Sequence, residues 1–411
     1  MKIKNSVKIA GLIVAFIAVV IFMGYLIYVI FFRADDGIQP GQVNVNGVIV
    51  NSDDLPIAND NTNRPVANVN INTNSSLPVV SPIANGGNTL TNQVAEGEIV
   101  STKIIGNNLR FYDKKTGKFY QVSADGKIKT LISEDLFPNA ESVEWSPTGN
   151  KAVISFPDGT SIIYDFDSKS QVTLPKEMDE IKFSATGEQL GFEYIDQDSS
   201  NNFLGVSNAD GTAIRQIELL GDKDRDVEIN WSPTSQTVAT FRKTSEGDAQ
   251  QIFFIGQNGE NFKLLEVQGR GFEGKWNEAG TQMIYSTYSA NSDYLPELKI
   301  ADVGGDSTGE NTISTGLKTW SSKCTIGGGA VFCGVPIGLE KGSGLYPELA
   351  NSVNDNIYRI DLVTGVKTKL ATPSRADGSG YVVNQIYLSP DERILYFTNK
   401  ITGELNSIKL K

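Results

Sequence analysis

The chain has 411 residues, more than one compact core usually holds, so several domains or a repeat architecture is expected. It contains no His, which removes His-based acid-base catalysis, Ser-His-Asp and Cys-His nucleophile arrangements and His-containing zinc sites. The net charge is −12, and because residues 1–32 hold three Lys and no acid the remainder carries −15, a surface that repels nucleic acid.

Residues 9–32 read IAGLIVAFIAVVIFMGYLIYVIFF, 24 positions without a charge. A helix of that length spans roughly 36 Å, enough for a hydrocarbon core of about 30 Å. The run is longer than the apolar part of a cleaved signal peptide and ends in Phe31-Phe32-Arg33, so it reads as a retained transmembrane signal anchor. Lys2, Lys4 and Lys8 precede it, which places residues 1–8 in the cytoplasm and everything after the single span outside. The implied localisation is the cell membrane.

Residues 33–95 carry thirteen Asn with Pro, Gly and Ser and no apolar period. Such a segment buries too little apolar surface to offset its ordering entropy and reads as a disordered linker. Its coil dimension is on the order of 40 to 45 Å.

From residue 96 onward the reading is all-β. Forty Gly, recurrent Asn-Gly and Asp-Gly pairs and short β-branched or aromatic runs favour strands and tight turns. One turn recurs: Trp145-Ser-Pro-Thr-Gly, Phe183-Ser-Ala-Thr-Gly, Trp231-Ser-Pro-Thr-Ser, Trp276-Asn-Glu-Ala-Gly and Leu388-Ser-Pro-Asp-Glu, at steps of 38, 48, 45 and 112. The wide step holds one more unit, in which Gly328-Gly329 makes the turn. An earlier unit without the signature runs from Thr102 to Ile132. Each copy continues as apolar strands separated by polar turns, four strands to a unit. Seven units with a period of about 44 residues fit the four-stranded blades of a β-propeller, six or eight blades being the alternatives. The last copy stops after its third strand, so "EGEIVS", residues 96–101, is expected to pair with it and close the ring.

The aromatic-Ser-Pro-Thr-Gly turn followed by an apolar strand resembles the WD-like propeller repeat of TolB and of the propeller of dipeptidyl-peptidase-type proteins, over residues 102–411. The chain departs from TolB in its retained anchor, in lacking a recognisable N-terminal α/β domain and in having seven blades rather than six. The resemblance implies the propeller fold and a binding or scaffold role.

Trp145, Phe183, Trp231 and Trp276 are read as blade-packing residues. Around a Gly328-Gly329 turn, Cys324 falls opposite Cys333 in a non-hydrogen-bonded pair, with Cα atoms about 4.5 Å apart. Outside the cytoplasm that pair favours a disulfide, two buried thiols being the rival.

Several strings look chemical. "GDSTG" around Ser307 has the nucleophile-elbow pattern without a His partner or a following helix, and "GRGFEG", residues 269–274, reads as an inter-blade loop. "DKDRDVE" (222–228) and "DQDSSNN" (196–202) lack the full calcium-loop pattern and read as solvated loops. No catalytic, cofactor or metal residue is therefore assigned.

The long connections between second and third strands share one face of a propeller, and long loops on a rigid scaffold commonly carry function. Two hold related strings, "DYLPEL" (293–298) and "LYPEL" (345–349). Tyr294, Tyr346, Glu297 and Glu348 are the candidate contacts for a protein, peptide or glycan of the cell envelope; the alternative is that both tyrosines fold back on their own blades. The expected function is non-catalytic binding or scaffolding. The competing expectation is a carbohydrate- or peptide-acting hydrolase using Asp and Glu, betrayed by two channel carboxyls about 5 to 10 Å apart.

Overall fold

The computed structural model describes residues 80–411. The expected cytoplasmic segment, membrane span and most of the linker lie outside the described residues. Among the described residues no helix is long and apolar enough to cross a membrane.

Seven sheets follow one another along the chain, at 99–131, 142–173, 178–219, 227–268, 270–314, 324–374 and 383–409. Each is an antiparallel meander. The first strands of several successive sheets touch, those of sheets one to four in turn and of sheets six and seven, and residues from several of them line one cavity, so the first strands are innermost and the sheets are blades around a channel. Seven apolar clusters lie between the blades, one at each interface.

The recurring turn has a local cause. Ser146, Ser184, Ser232 and Ser389 each accept, through Oγ, the amide hydrogen of the residue five places on, at 2.9–3.2 Å, and Asn277 Oδ1 does the same at 3.1 Å. The last position of each motif is left-handed: Gly149 (φ 70°), Gly187 (76°), Ser235 (57°), Gly280 (70°) and Glu392 (55°). Gly reaches that region without a Cβ clash. Ser235 and Glu392 occupy it at a cost.

The aromatic position staples blades together. The indole Nε1 of Trp231 donates to the Lys182 carbonyl at 3.2 Å, in the inner strand of the preceding blade, and that of Trp276 to the Asn230 carbonyl at 3.2 Å, just past the inner strand of the preceding blade. Gly191 is bare because a Cβ there would lie 2.8 Å from the Trp231 nitrogen. Trp145 instead packs on Phe119 and Phe166, with ring centroids 5.3 and 5.2 Å away.

Ring closure differs from the expectation. The strand that completes blade seven is β2 (Asn92–Ala95), antiparallel to Leu405–Lys409, while Ile99–Ser101 of "EGEIVS" open the innermost strand of blade one. Just before it, β1 (Asn88–Leu90) adds a fifth, parallel strand to the edge of blade six. The end of the segment read as linker is thus part of the fold. Its two buried apolar residues, Val94 and Ala95, enter the cluster between blades seven and one, which anchors them despite the polar surroundings.

Candidate functional site

The expected cysteine pairing is present. Cys324 and Cys333 face each other in the hairpin of blade six, with Cα atoms 4.1 Å apart and the sulfurs bonded. Both are buried.

On the loop face, the connections 289–296 of blade five and 337–354 of blade six are laced together. The Gly342 amide donates to the Asp293 carbonyl at 2.9 Å, the Gly344 amide to the Tyr294 carbonyl at 2.7 Å, and Lys341 Nζ lies 3.1 Å from Asp293 Oδ1. Gly344 permits the contact, since a Cβ there would come within 2.5 Å of the Tyr288 Cβ. Asp293 and Tyr294 are both left-handed, with φ of 54° and 55°, a conformation that costs a non-glycine residue on the order of 1–2 kcal/mol. The two inter-loop hydrogen bonds hold that backbone in place.

This lacing turns the side chains outward. Tyr294 is 39 % and Tyr346 58 % exposed, and Leu345 and Leu349 are exposed beside Tyr346. Glu348 is exposed in the 3-10 turn Pro347–Ala350. Glu297 is different: its carboxylate is held by Lys318 Nζ at 2.7 Å and by Lys299 Nζ at 3.7 Å, which anchors the start of a strand.

The channel supplies a second set of residues, absent from the sequence-derived candidates. Glu144, Lys182, Glu228, Lys275 and Tyr387 each stand one residue before the last ladder pair of their inner hairpins, and Glu273 lies further back along its strand. A cavity of ≈ 370 Å³ is lined by Glu144, Lys182, Glu228, Glu273, Lys275 and, from the segment entering blade six, Ser321 and Ser322. Burial raises the pKa of Glu144, opposed by Lys182 and Lys103, and raises that of Glu228, opposed by Lys182 and Arg242. Burial also lowers the Lys275 ammonium to about 8 against the pull of Glu273. For Glu144 and Lys182 the sequence signal is alternation: the residue before a buried aromatic, Trp145 or Phe183, faces the other way, into the channel.

The chemical-looking strings resolve as backbone. Gly305–Ser307 is a 3-10 turn in which Ser307 Oγ donates to the Gly304 carbonyl at 3.2 Å. Most of "GRGFEG" is the inner strand Arg270–Trp276 of blade five rather than a loop, because the turn from blade four is confined to Gly269. Asp224–Asp226 and Ser199–Asn201 form 3-10 turns, and among the described residues no three His, Cys, Asp or Glu side chains converge as a metal requires.

No protein-family model matches the chain, and no match is found among curated proteins. Solved structures match in shape. An oligogalacturonate lyase in complex with manganese is 12% identical, with 77% of this chain and 90% of that one covered and a TM-score of 0.51. The β-propeller domain of the Trilobed protease from Pyrococcus furiosus, described as having an open velcro topology, is 11% identical over 77% and 94%, at 0.50. The β-propeller domain of Cps50 (Swd1) from Myceliophteria thermophila is 11% identical over 78% and 98%, at 0.49. The fold is a seven-bladed β-propeller. At these identities the lyase and protease-propeller likenesses carry the fold alone, and in this propeller β2 closes the ring by hydrogen bonds to blade seven.

Proposed function

We propose that the protein is a membrane-anchored, extracytoplasmic, TolB-like propeller that binds another protein of the cell envelope through the laced loops of blades five and six. The observation that carries this reading is the outward, aromatic and aliphatic platform of Tyr294, Leu345, Tyr346 and Leu349 on a backbone pinned by inter-loop hydrogen bonds. Tyr offers a large, rigid contact area with a polar tip, a composition enriched at protein interfaces. Anchoring rests on the uncharged run 9–32 with Lys2, Lys4 and Lys8 before it.

A photo-crosslinking residue placed at Tyr346 in intact cells tests the platform, with Val363, 83 % exposed in a turn between third and fourth strands, as the control on the other face. Discrete adducts from position 346 that are missing from 363 and that Tyr294→Ala diminishes are expected. Identical adducts from the two positions, or none from 346, would refute the reading.

Hydrolysis by channel carboxylates is the second reading, and one observation favours it: Glu144 and Glu228 line one cavity with pKa values raised by burial, as a general acid requires. It would show as release of new reducing ends from a polysaccharide, or of new amino termini from a peptide, abolished in Glu228→Gln.

A further inference from the structure

The channel cavity has no part in docking at the loop platform, yet its side chains are left with unused hydrogen-bonding capacity. Its volume, ≈ 370 Å³, falls in the range of roughly 300–1,000 Å³ for small-molecule sites. Three carboxylates (Glu144, Glu228, Glu273) and two ammonium groups (Lys182, Lys275) line it, so the lining carries one more negative than positive charge.

Counting bonds separates the spent groups from the free ones. Lys275 Nζ already donates to the Cys324 carbonyl at 2.9 Å and the Ser322 carbonyl at 3.3 Å. Glu273 Oε2 accepts from Ser321 Oγ and from the Ser322 amide, both at 3.3 Å. Lys182 donates only to the Ile229 carbonyl, at 2.7 Å, and stands 3.9 Å from Glu228, too far for a hydrogen bond. Two of its N–H groups remain unclaimed. Among the described residues, the carboxylates of Glu144 and Glu228 accept no hydrogen bond, although both are partly withdrawn from water. Desolvated carboxylates without donors are unfavourable, and a ligand cation relieves them.

The arrangement also limits what can enter. A simple anion drawn to Lys182 would meet the Glu228 carboxylate beside it. A bare metal ion lacks three converging ligands. We propose that the cavity binds a small primary amine that also carries a hydrogen-bond acceptor, with Glu228 and Glu144 taking the ammonium and Lys182 the acceptor. Amino sugars and free amino acids share this chemistry. Trp231 and Phe183 complete the wall with apolar surface.

Calorimetric titration of the full chain with matched pairs tests this: glucosamine against glucose for the sugar source, alanine against lactate for the amino-acid source. At least one amine should bind at least tenfold more tightly than its amine-free partner, which tells the two sources apart. Glu228→Gln should weaken that amine tenfold or more, Lys182→Met should weaken it too, and Tyr346→Ala should leave it unchanged. Glu144→Gln serves as the second carboxylate variant if Glu228→Gln fails to fold, judged by its melting transition. Equal binding within both pairs, no heat from any compound at millimolar concentration, or an amine affinity indifferent to both Gln substitutions would overturn the proposal. Failure here leaves the crosslinking result at Tyr346 untouched, because the two sites share no residue.

Discussion

Val94→Ala isolates the closure of the ring in one side chain. Val94 lies in β2, is 6 % exposed and packs with Leu109, Phe111 and Val122 of blade one and with Tyr396 and Leu405 of blade seven. The substitution removes two carbons, worth about 0.8 kcal/mol each, from a place where two blades meet. Because neighbouring sheets cannot both collapse into the gap, a residual cavity adds to the loss, for a total of about 2 kcal/mol. In a domain of this size that corresponds to a fall of about 3 °C in the melting temperature. Val363→Ala is the matched control: the same two carbons leave a side chain that is 83 % exposed, and a change within about 0.5 kcal/mol is expected. Urea denaturation followed by tryptophan fluorescence reads both. If Val94→Ala and Val363→Ala unfold at the same urea concentration, β2 does not carry the closure and the assignment of the N-terminal strand to blade seven is wrong.

Two further substitutions test the chemistry of single positions. Glu193 is buried in blade three with Oε1 unpartnered, and its pKa is raised from 4.5 to about 8 by burial and then by Glu180, Asp224 and Asp179. Between those values the folded state keeps a proton that the unfolded chain has released, so stability is full at pH below 4.5 and falls as pH rises towards 8. The slope approaches about 1.4 kcal/mol per pH unit. Glu193→Gln should therefore raise stability most at pH 8, with no gain below 4.5, and parallel pH profiles for the two proteins would contradict the account. Ser235 is left-handed at φ 57° and its buried Oγ has no partner. Ser235→Gly relieves both at the cost of a more flexible unfolded chain, for a net gain of about 1 kcal/mol in chemical denaturation; a loss of stability would show that the turn is not strained there.

What could be read from the sequence and what could not divides by the range of the interactions. The Ser146 and Ser184 turns act within five residues, so each copy carries its whole explanation locally, and the recurrence of the turn in five units sets the period that places the other two blades. The pairing of Cys324 with Cys333 is equally local, nine residues around a Gly-Gly turn. β2 is the opposite case. Its partner strand lies 315 residues away, at Ser407 for Asn92, and as an outer strand it needs only Val94 and Ala95 to be apolar. Asn92 and Gln93 face water, so the segment looks like the Asn-rich linker before it. "EGEIVS" attracted the closing role because of Ile99 and Val100, and those apolar residues serve the inner strand of blade one instead. The channel charges lay between these extremes: Glu144 before Trp145 and Lys182 before Phe183 declare their direction by alternation, but their convergence depends on four other blades.

Blade six shows how departures from the repeat and candidate function coincide. It lacks the aromatic-Ser-Pro-Thr-Gly turn, and its inner strand Cys324–Gly327 turns through Gly328-Gly329 instead. The disulfide to Cys333 and the ion pair of Lys323 with the buried Asp355, 2.7 Å, brace that hairpin where the repeat's own turn chemistry is missing. The braced pieces then serve both sites. The Cys324 carbonyl fixes Lys275 in the channel wall, while the strand bearing Cys333 runs to Pro336 and launches the loop that carries Tyr346, which returns at Asp355. A platform loop of this length needs rigid stems at both ends, and the crosslink and the ion pair supply them from residues that no other blade possesses. The positions at which this copy differs most from the other six are therefore the ones on which the platform and part of the channel wall are built.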